Sequence, residues 1–227
     1  MPILYNAKPV SKLLQTREVN GVGEVLEVRL WPDSTLIEVD LHLPAVDMQV
    51  WTEVMQITFF SVSKGHSCNV VPFGWDAETS TCSVIIDSIR DSACSGWARR
   101  LRRLDRVEYT NISAYSENLP FSNLIVAISD GSNLGFLLAL QQLSVAAYRL
   151  ESLAWIGLPQ VANLFYEYFN TPTITVTNQK DLLDWLLTQQ YCSSHTSFYL
   201  GGDSRFNSDI SRFLKAMNYQ DVHAFSF

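Results

Sequence analysis

Three short loops and one basic run hold the residue types from which a phosphate or cofactor site is made. Asp130, Gly131, Ser132 and Asn133 stand in the run Ser129-Asp130-Gly131-Ser132-Asn133-Leu134-Gly135, between an apolar strand-like stretch and a helical one. Such a strand-to-helix turn presents free backbone N–H groups, which bind phosphate through hydrogen bonds and the helix dipole. Gly131 and Gly135 would let the backbone approach a ligand. The spacing is neither G-x-G-x-x-G, nor the P-loop, nor the G-x-S-x-G nucleophile elbow. A serine-capped turn accounts for the same residues. Gly202 and Asp203 occupy a second turn, Leu200-Gly201-Gly202-Asp203-Ser204, where Asp203 or Ser204 would equally cap the next helix. The third loop runs from Asp91 to Trp97, with Ser95 as the expected N-cap of a helix on which Trp97, Leu101 and Leu104 share a face. Arg99, Arg100, Arg102, Arg103 and Arg106 follow in a chain of net charge −7. They would draw an anion or form a solvated face.

Other chemistry is poorly supplied. His42, His66, His195 and His223 are scattered without ligand spacing, so no metal site and no histidine-based catalysis is expected. No catalytic residue can be named; a hydrolytic reading of Ser132 lacks a base. Cys68, Cys82, Cys94 and Cys192 form no C-x-x-C pair. Free thiols are expected, in a cytoplasmic chain with no apolar leader and no span of about 18 apolar residues, hence no membrane insertion. The acidic balance argues against a nucleic-acid partner.

Two regimes of apolar spacing must position these loops. Before residue 120 the period is two: Ile37, Val39, Leu41 and Leu43 alternate with Glu38, Asp40 and His42, which predicts a strand with a polar outer face. Val25–Trp31, Val54–Val62, Cys68–Val71, Thr81–Asp87 and Arg106–Ile112 read as further strands, with Phe73–Ser80 a turn-rich connection. Six short antiparallel strands predict a small closed β-barrel over residues 1–113. Residues 114–121, around Pro120, read as a linker. Residues 122–227 alternate apolar strands (Leu124–Ser129, Leu153–Ile156, Thr173–Thr177, Ser197–Leu200, Val222–Phe225) with helices (Leu134–Arg149, Pro159–Phe169, Asp181–Gln189, Ser204–Met217). That pattern predicts an α/β domain with a five-stranded parallel sheet, whose ligands sit at the carboxyl ends of the strands.

Taken together, Trp75-Asp76-Ala77-Glu78-Thr79, Ser95-x-Trp97-Ala98, Asp130-Gly131-Ser132 and Gly201-Gly202-Asp203 resemble, in order and spacing, the siderophore-interacting branch of the ferredoxin-reductase-like flavoproteins, from about Glu24 onward. The resemblance implies a two-domain ferredoxin-reductase-like fold, with FAD on the barrel and NADH or NADPH on the second domain. It implies hydride transfer to the flavin and reduction of a ferric siderophore by single electrons. It places the flavin ring near Val70 and Val71 and its pyrophosphate near Ser95, Trp97 and Arg99. It places the nucleotide at Asp130, Gly131, Ser132, Asn133, Gly202 and Asp203, and an aromatic of the tail, Phe225 or Phe227, over the cleft. An anionic ferric siderophore would be drawn to the Arg99–Arg103 helix.

This chain departs from the family pattern in three places. Where the family motif R-x-Y-[ST] stands, the chain has Cys68-Asn69-Val70-Val71, with a thiol for the phosphate-binding arginine and valine for the ring-packing tyrosine. The glycine-rich run before the serine is Ser92-Ala93-Cys94, and Gly157–Asn163 carries no charged residue for a ribose or a 2′-phosphate. Two functions follow as expectations: a flavin-dependent NAD(P)H reductase of ferric chelates, or a relative that has lost tight flavin binding and acts as a binding or interaction protein.

Overall fold

A computed structural model describes residues 15–17, 20–61, 66–114, 124–144 and 149–225. The N-terminal part is an antiparallel sheet of β2 (Gly21–Leu30), β3 (Leu36–His42), β4 (Met55–Ser61), β5 (His66–Val70), β6 (Phe73–Asp76), β7 (Thr81–Asp87) and β8 (Arg106–Ala114). Its order is β5-β4-β8-β2-β3-β7-β6, with the short β1 (Gln15–Arg17) added on β8. Inward residues such as Val25, Ile37, Val39, Leu41, Ile57, Phe59 and Val84 are at most 1% exposed and fill one core.

Several expectations are corrected here. The sheet is not closed: among the described residues no ladder joins its end strands β5 and β6. Phe73–Asp76, expected as a turn, is a strand, and the turn is confined to Ala77–Ser80. The free edge of β6 is satisfied instead by a side chain, because Gln142 accepts from Trp75 N at 3.2 Å and donates to Trp75 O at 2.9 Å. A carboxamide thus stands in for a strand neighbour. The polar face of β3 is not clean either. Glu38 is buried, accepts from Trp31 Nε1 and pairs with Arg29 at 2.8 Å. The second domain covers this region, with Trp31 stacked on Phe169.

The helix α1 (Ala93–Ala98) is shorter than expected and starts earlier. Its N-cap is Ser92, not Ser95, and the two hydroxyl groups form a reciprocal capping box. The chain leaves the helix at Arg99, so the arginines share no helix face, and Leu104 is exposed at a φ of 71°.

In the second domain, β9 (Leu124–Asp130), β10 (Arg149–Trp155), β11 (Ile174–Val176), β12 (Thr196–Gly201) and β13 (Val222–Phe225) form a parallel sheet ordered β11-β10-β9-β12-β13. α2 (Leu134–Leu143) and α3 (Pro159–Phe169) cover one face; α4 (Gln179–Thr188) and α5 (Ser204–Ala216) cover the other. Alternation along β9 decides the layers: Ile125 and Ala127 face α2, while Val126 and Ile128 face α5. α3 starts at Pro159 as expected, since proline needs no N–H partner in a first turn. α2 ends six residues early, and Arg149 opens β10 instead.

α2 is buried on every side from Leu134 to Leu140, because it lies between the parallel sheet and the barrel residues Val71 and Phe73. Gly135 is required at this contact: a Cβ there would stand 2.6 Å from Val71 O. One continuous apolar core therefore holds the two domains together. Among the described residues no helix is long and apolar enough to cross a membrane.

Candidate functional site

The cleft between the domains is where the expected loops meet. One hollow there, about 240 Å³, is lined by Asn69, Val70, Val71, Ser92 and Cys94 from the barrel and by Ser132, Asn133, Gly202 and Asp203 from the carboxyl ends of β9 and β12. A second hollow of about 190 Å³ lies beside it, lined by Leu36, Ile89, Gly131, Trp155 and Leu158. Arg90 and Asp87 border both.

No local motif in the sequence marks Arg90, yet it organises the cleft. It donates to Asp203 Oδ2 at 2.5 Å and to Asp130 Oδ2 at 3.1 Å, and its Nε lies 3.4 Å from Asp87 Oδ2. One guanidinium of the barrel thus bridges both ligand-edge loops of the α/β domain. Its partners are 40 and 113 residues away, so nothing local in the sequence announces them.

The two carboxylates respond in opposite directions. Burial raises the pKa of Asp130, which is 1% exposed, against the opposing pull of Ser132 and Arg90. Burial also acts on Asp203, but the Phe206 N–H and Arg90 outweigh it and hold the pKa below the ordinary carboxylate value. Both groups also serve as caps. Asp130 accepts from Ser132 N at 2.9 Å, and Asp203 accepts from Phe206 N at 2.7 Å.

Asn133 is 6% exposed, and its Nδ2 has no hydrogen-bond partner among the described residues. A buried donor without an acceptor is costly, and in a native fold it points to a ligand or water. It stands at the cleft, at the carboxyl edge of the central strand β9.

Other expected site residues lie elsewhere. Ser95 is fully buried, with its hydroxyl engaged by Ser92. Trp97 stacks on Phe59 at 4.8 Å inside the barrel core. Arg99 donates to Ser88 O, bracing the loop that carries Arg90. Arg102 donates to Arg99 O and Leu101 O. Phe225 is not over the cleft but packed in the core, 5.0 Å from Phe136 and stacked 5.7 Å from Tyr199. Phe227 lies outside the described residues. Gly202 is tight rather than open: a Cβ there would meet Phe206 at 2.5 Å. Gly131 has room beside it, with nothing nearer than Trp155 O at 3.9 Å.

The expectation of free thiols fails for two cysteines. Cys68 on β5 and Cys94 on α1 form a disulfide, with Cα atoms 4.7 Å apart; Cys82 and Cys192 are free. The pairing was invisible at a separation of 26 residues because it depends on α1 packing beside β5. Among the described residues no group of histidine, cysteine or acidic side chains could hold a metal ion.

No protein-family model and no curated protein matches the sequence. Solved structures do match in shape. A siderophore-interacting protein from Acinetobacter baumannii gives a TM-score of 0.73 at 8% identity, covering 91% of this chain and 89% of its own. One from Aeromonas hydrophila gives 0.68 at 12%, covering 92% and 91%. A ferredoxin NADP+ reductase from Neisseria gonorrhoeae, with FAD and NADP bound, gives 0.70 at 13%, covering 91% and 98%. Nearly the whole chain is therefore built on the two-domain fold shared by siderophore-interacting proteins and ferredoxin reductases.

Proposed function

We propose that the chain is an oxidoreductase of the siderophore-interacting kind that takes its flavin as a loosely held, exchangeable ligand in the interdomain cleft. The observation that carries this reading is the buried, unpaired Nδ2 of Asn133, a residue that lines the cleft at the sheet's ligand edge. Its N–H suits a ring carbonyl of a flavin or a nicotinamide. Val70 and Val71 would supply an apolar floor that keeps water from the ring.

These residues fit the ring better than they fit the phosphates. The family's arginine position is Cys68, fully buried and tied into a disulfide, and its tyrosine position is Val70. Charge-assisted hydrogen bonds contribute about 1.5–3 kcal/mol each, and aromatic stacking about 1 kcal/mol. Their loss corresponds to roughly 2.5–4 kcal/mol, or a factor of about 10² to 10³ in affinity. When bound, a flavin would supply hydride acceptance from NADH or NADPH and single-electron delivery to a ferric siderophore. The chain's own part is to seat the ring against Asn133 and to draw the anionic chelate toward Arg99, Arg100 and Arg103. A ferric-chelate reductase that draws on NAD(P)H would work where that donor is held, in the cytoplasm.

A second reading, a non-catalytic binding protein, is favoured by a different observation. Arg90 is held by three carboxylates, so the cleft carries more negative than positive charge and resists a pyrophosphate. The hollow, at about 240 Å³, is smaller than the roughly 300–1,000 Å³ of ordinary ligand pockets.

Titration with FAD, followed by flavin fluorescence and calorimetry, separates the two. The reductase reading expects a colourless protein that takes up added FAD weakly and oxidises NAD(P)H with a ferric chelate only when FAD is supplied. No uptake at high FAD concentration moves the function to the binding protein. Stoichiometric flavin retained through purification overturns loose binding.

A further inference from the structure

We infer that the Cys68–Cys94 disulfide is an exchange site for a small thiol and acts as a clasp on the barrel wall of the cleft. β5 is an end strand. It pairs with β4, Ile57 opposite Val70 and Phe59 opposite Cys68, and among the described residues has no strand on its other side. α1 packs against β5, and the disulfide holds the two together covalently. Asn69, Val70 and Val71, which follow Cys68 directly, line the cleft, and so do Ser92 and Cys94 on the opposite arm of the clasp. The bond therefore joins the two barrel segments that form one wall of the ligand site.

The two sulfur atoms differ in access. Cys68 is fully buried among core residues, whereas Cys94 is partly exposed at the cleft, its Sγ 3.5 Å from Asn69 O. Attack by an incoming thiolate therefore falls on Cys94. The S–S bond breaks, a mixed disulfide forms between Cys94 and the thiol, and Cys68 leaves as a thiolate. A second thiolate attacks the thiol-derived sulfur, releasing the small disulfide and the Cys94 thiolate. The two protons given up by the thiols end on Cys68 and Cys94. In sum, one protein disulfide and two thiols give two protein thiols and one small disulfide, the two electrons passing into the protein.

The departure of Cys68 links this chemistry to motion. A thiolate is strongly disfavoured in an apolar core, so β5 must yield toward water or a proton as the bond breaks. Once the clasp opens, β5 keeps hydrogen bonds on one side only. Disulfides in reducing compartments are mostly of this transient kind, which removes the conflict with a cytoplasmic location. The consequence for ligand affinity rests on the cleft being the ligand site; the exchange chemistry and the strand release do not.

The test uses the full chain carrying Cys192→Ser, which removes the exposed bystander thiol. Oxidised protein is incubated with glutathione, then with dithiothreitol, without denaturant. Peptide mass mapping follows the sulfur atoms, and hydrogen–deuterium exchange follows the strand, with no ligand present. The expected result is a glutathione adduct on Cys94 and amide exchange in residues 66–71 faster by about tenfold or more after reduction. Exchange in β9 and β12 should rise by no more than the overall loss of stability accounts for, as read from the melting curve. Cys68→Ala with Cys94→Ala should show the fast exchange whatever the thiol. Four free thiols in wild-type protein purified without reductant would overturn the inference. So would a bond that resists both reagents in the folded state, or a bond that opens while residues 66–71 keep their protection. FAD titration of both redox forms then reads the ligand consequence separately: failure to bind FAD in either form sinks the flavin reading and leaves the clasp standing.

Discussion

On the α/β side of the cleft, Asp130, Ser132, Asn133, Gly202 and Asp203 stand at the ends of β9 and β12, each paired with strands on both sides. On the barrel side, Asn69, Val70 and Val71 stand on or beside β5, which among the described residues is paired on one side only. The α/β wall is held by many weak and redundant interactions: parallel ladders, caps and an apolar helix behind it. The barrel wall hangs on a few strong ones, a disulfide, an ion-paired arginine and the contact of Val71 with Gly135. Damage to the first wall should therefore spread through the fold, and damage to the second should stay near the cleft.

The hardest blow to the α/β wall is Phe136→Ala. Phe136 is fully buried, lies 5.0 Å from Phe225 and fills the space that Gly201 leaves open. Deleting such a ring costs about 3–5 kcal/mol. In a domain of this size the melting temperature should fall by about 6–20 °C. Loss of protection in both sheets is expected, read by hydrogen exchange. A loss confined to the cleft would break the contrast between the walls.

The matching blow to the barrel wall is Cys68→Ala with Cys94→Ala. Releasing a loop of this separation removes about 2–4 kcal/mol by constraining the unfolded chain less. Calorimetry should show a lower melting temperature, and β9 should lose only the protection that this overall loss accounts for, while residues 66–71 lose more. Equal loss of protection in both sheets would mean the disulfide is a staple of the whole fold.

Much of the α/β wall was legible in the sequence, and little of the barrel wall was. Alternating strands and helices announce a parallel sheet, and Pro159 and Asp203 mark helix starts through local chemistry that a sequence displays. The barrel wall depends on distant partners. Gln142 completes the edge of β6, Cys94 meets Cys68, and Arg90 meets Asp130 and Asp203. Each pairing is decided by packing, not by neighbours in the chain. The capping box shows the limit of local reading: Ser92 and Ser95 are both good caps, and only the backbone of Ser92, extended at ψ 165°, settles which one is the N-cap.

Arg90→Ala tests the link between the walls and has a pH signature. Removing the guanidinium leaves Asp130 buried without its cation, at about 1–2 kcal/mol near neutral pH, because Arg90 itself is close to half exposed. Asp130 has a raised folded pKa, so its contribution is least unfavourable at low pH and worsens as pH rises from the ordinary carboxylate value through the folded one. Asp203 has a lowered folded pKa, so its favourable contribution is present above the ordinary value and disappears as pH falls through the folded one. Arg90 favours the ionised form of both. The difference in melting temperature between wild type and variant should therefore be largest at neutral pH and shrink below about pH 4. A deficit independent of pH would mean that Arg90 acts through packing alone.

The smallest effect on stability should come from Asn133→Ala. The Nδ2 atom has no partner to lose, so removing it relieves an unsatisfied donor and the fold should change by no more than about 0.5 kcal/mol. Binding should respond more than stability does. A neutral hydrogen bond contributes about 0.5–1.5 kcal/mol, so FAD or NADH should bind about 2- to 10-fold more weakly, measured by calorimetry at one fixed salt concentration. Asn133→Asp sharpens the result, because it exchanges the donor for an acceptor beside Asp130 and Asp203 and should abolish measurable binding of an anionic ligand. If the alanine variant instead loses several degrees of melting temperature and binds as before, Asn133 supports the turn after β9. The α/β wall would then be structural throughout, and the ligand would have to be sought against the barrel wall alone.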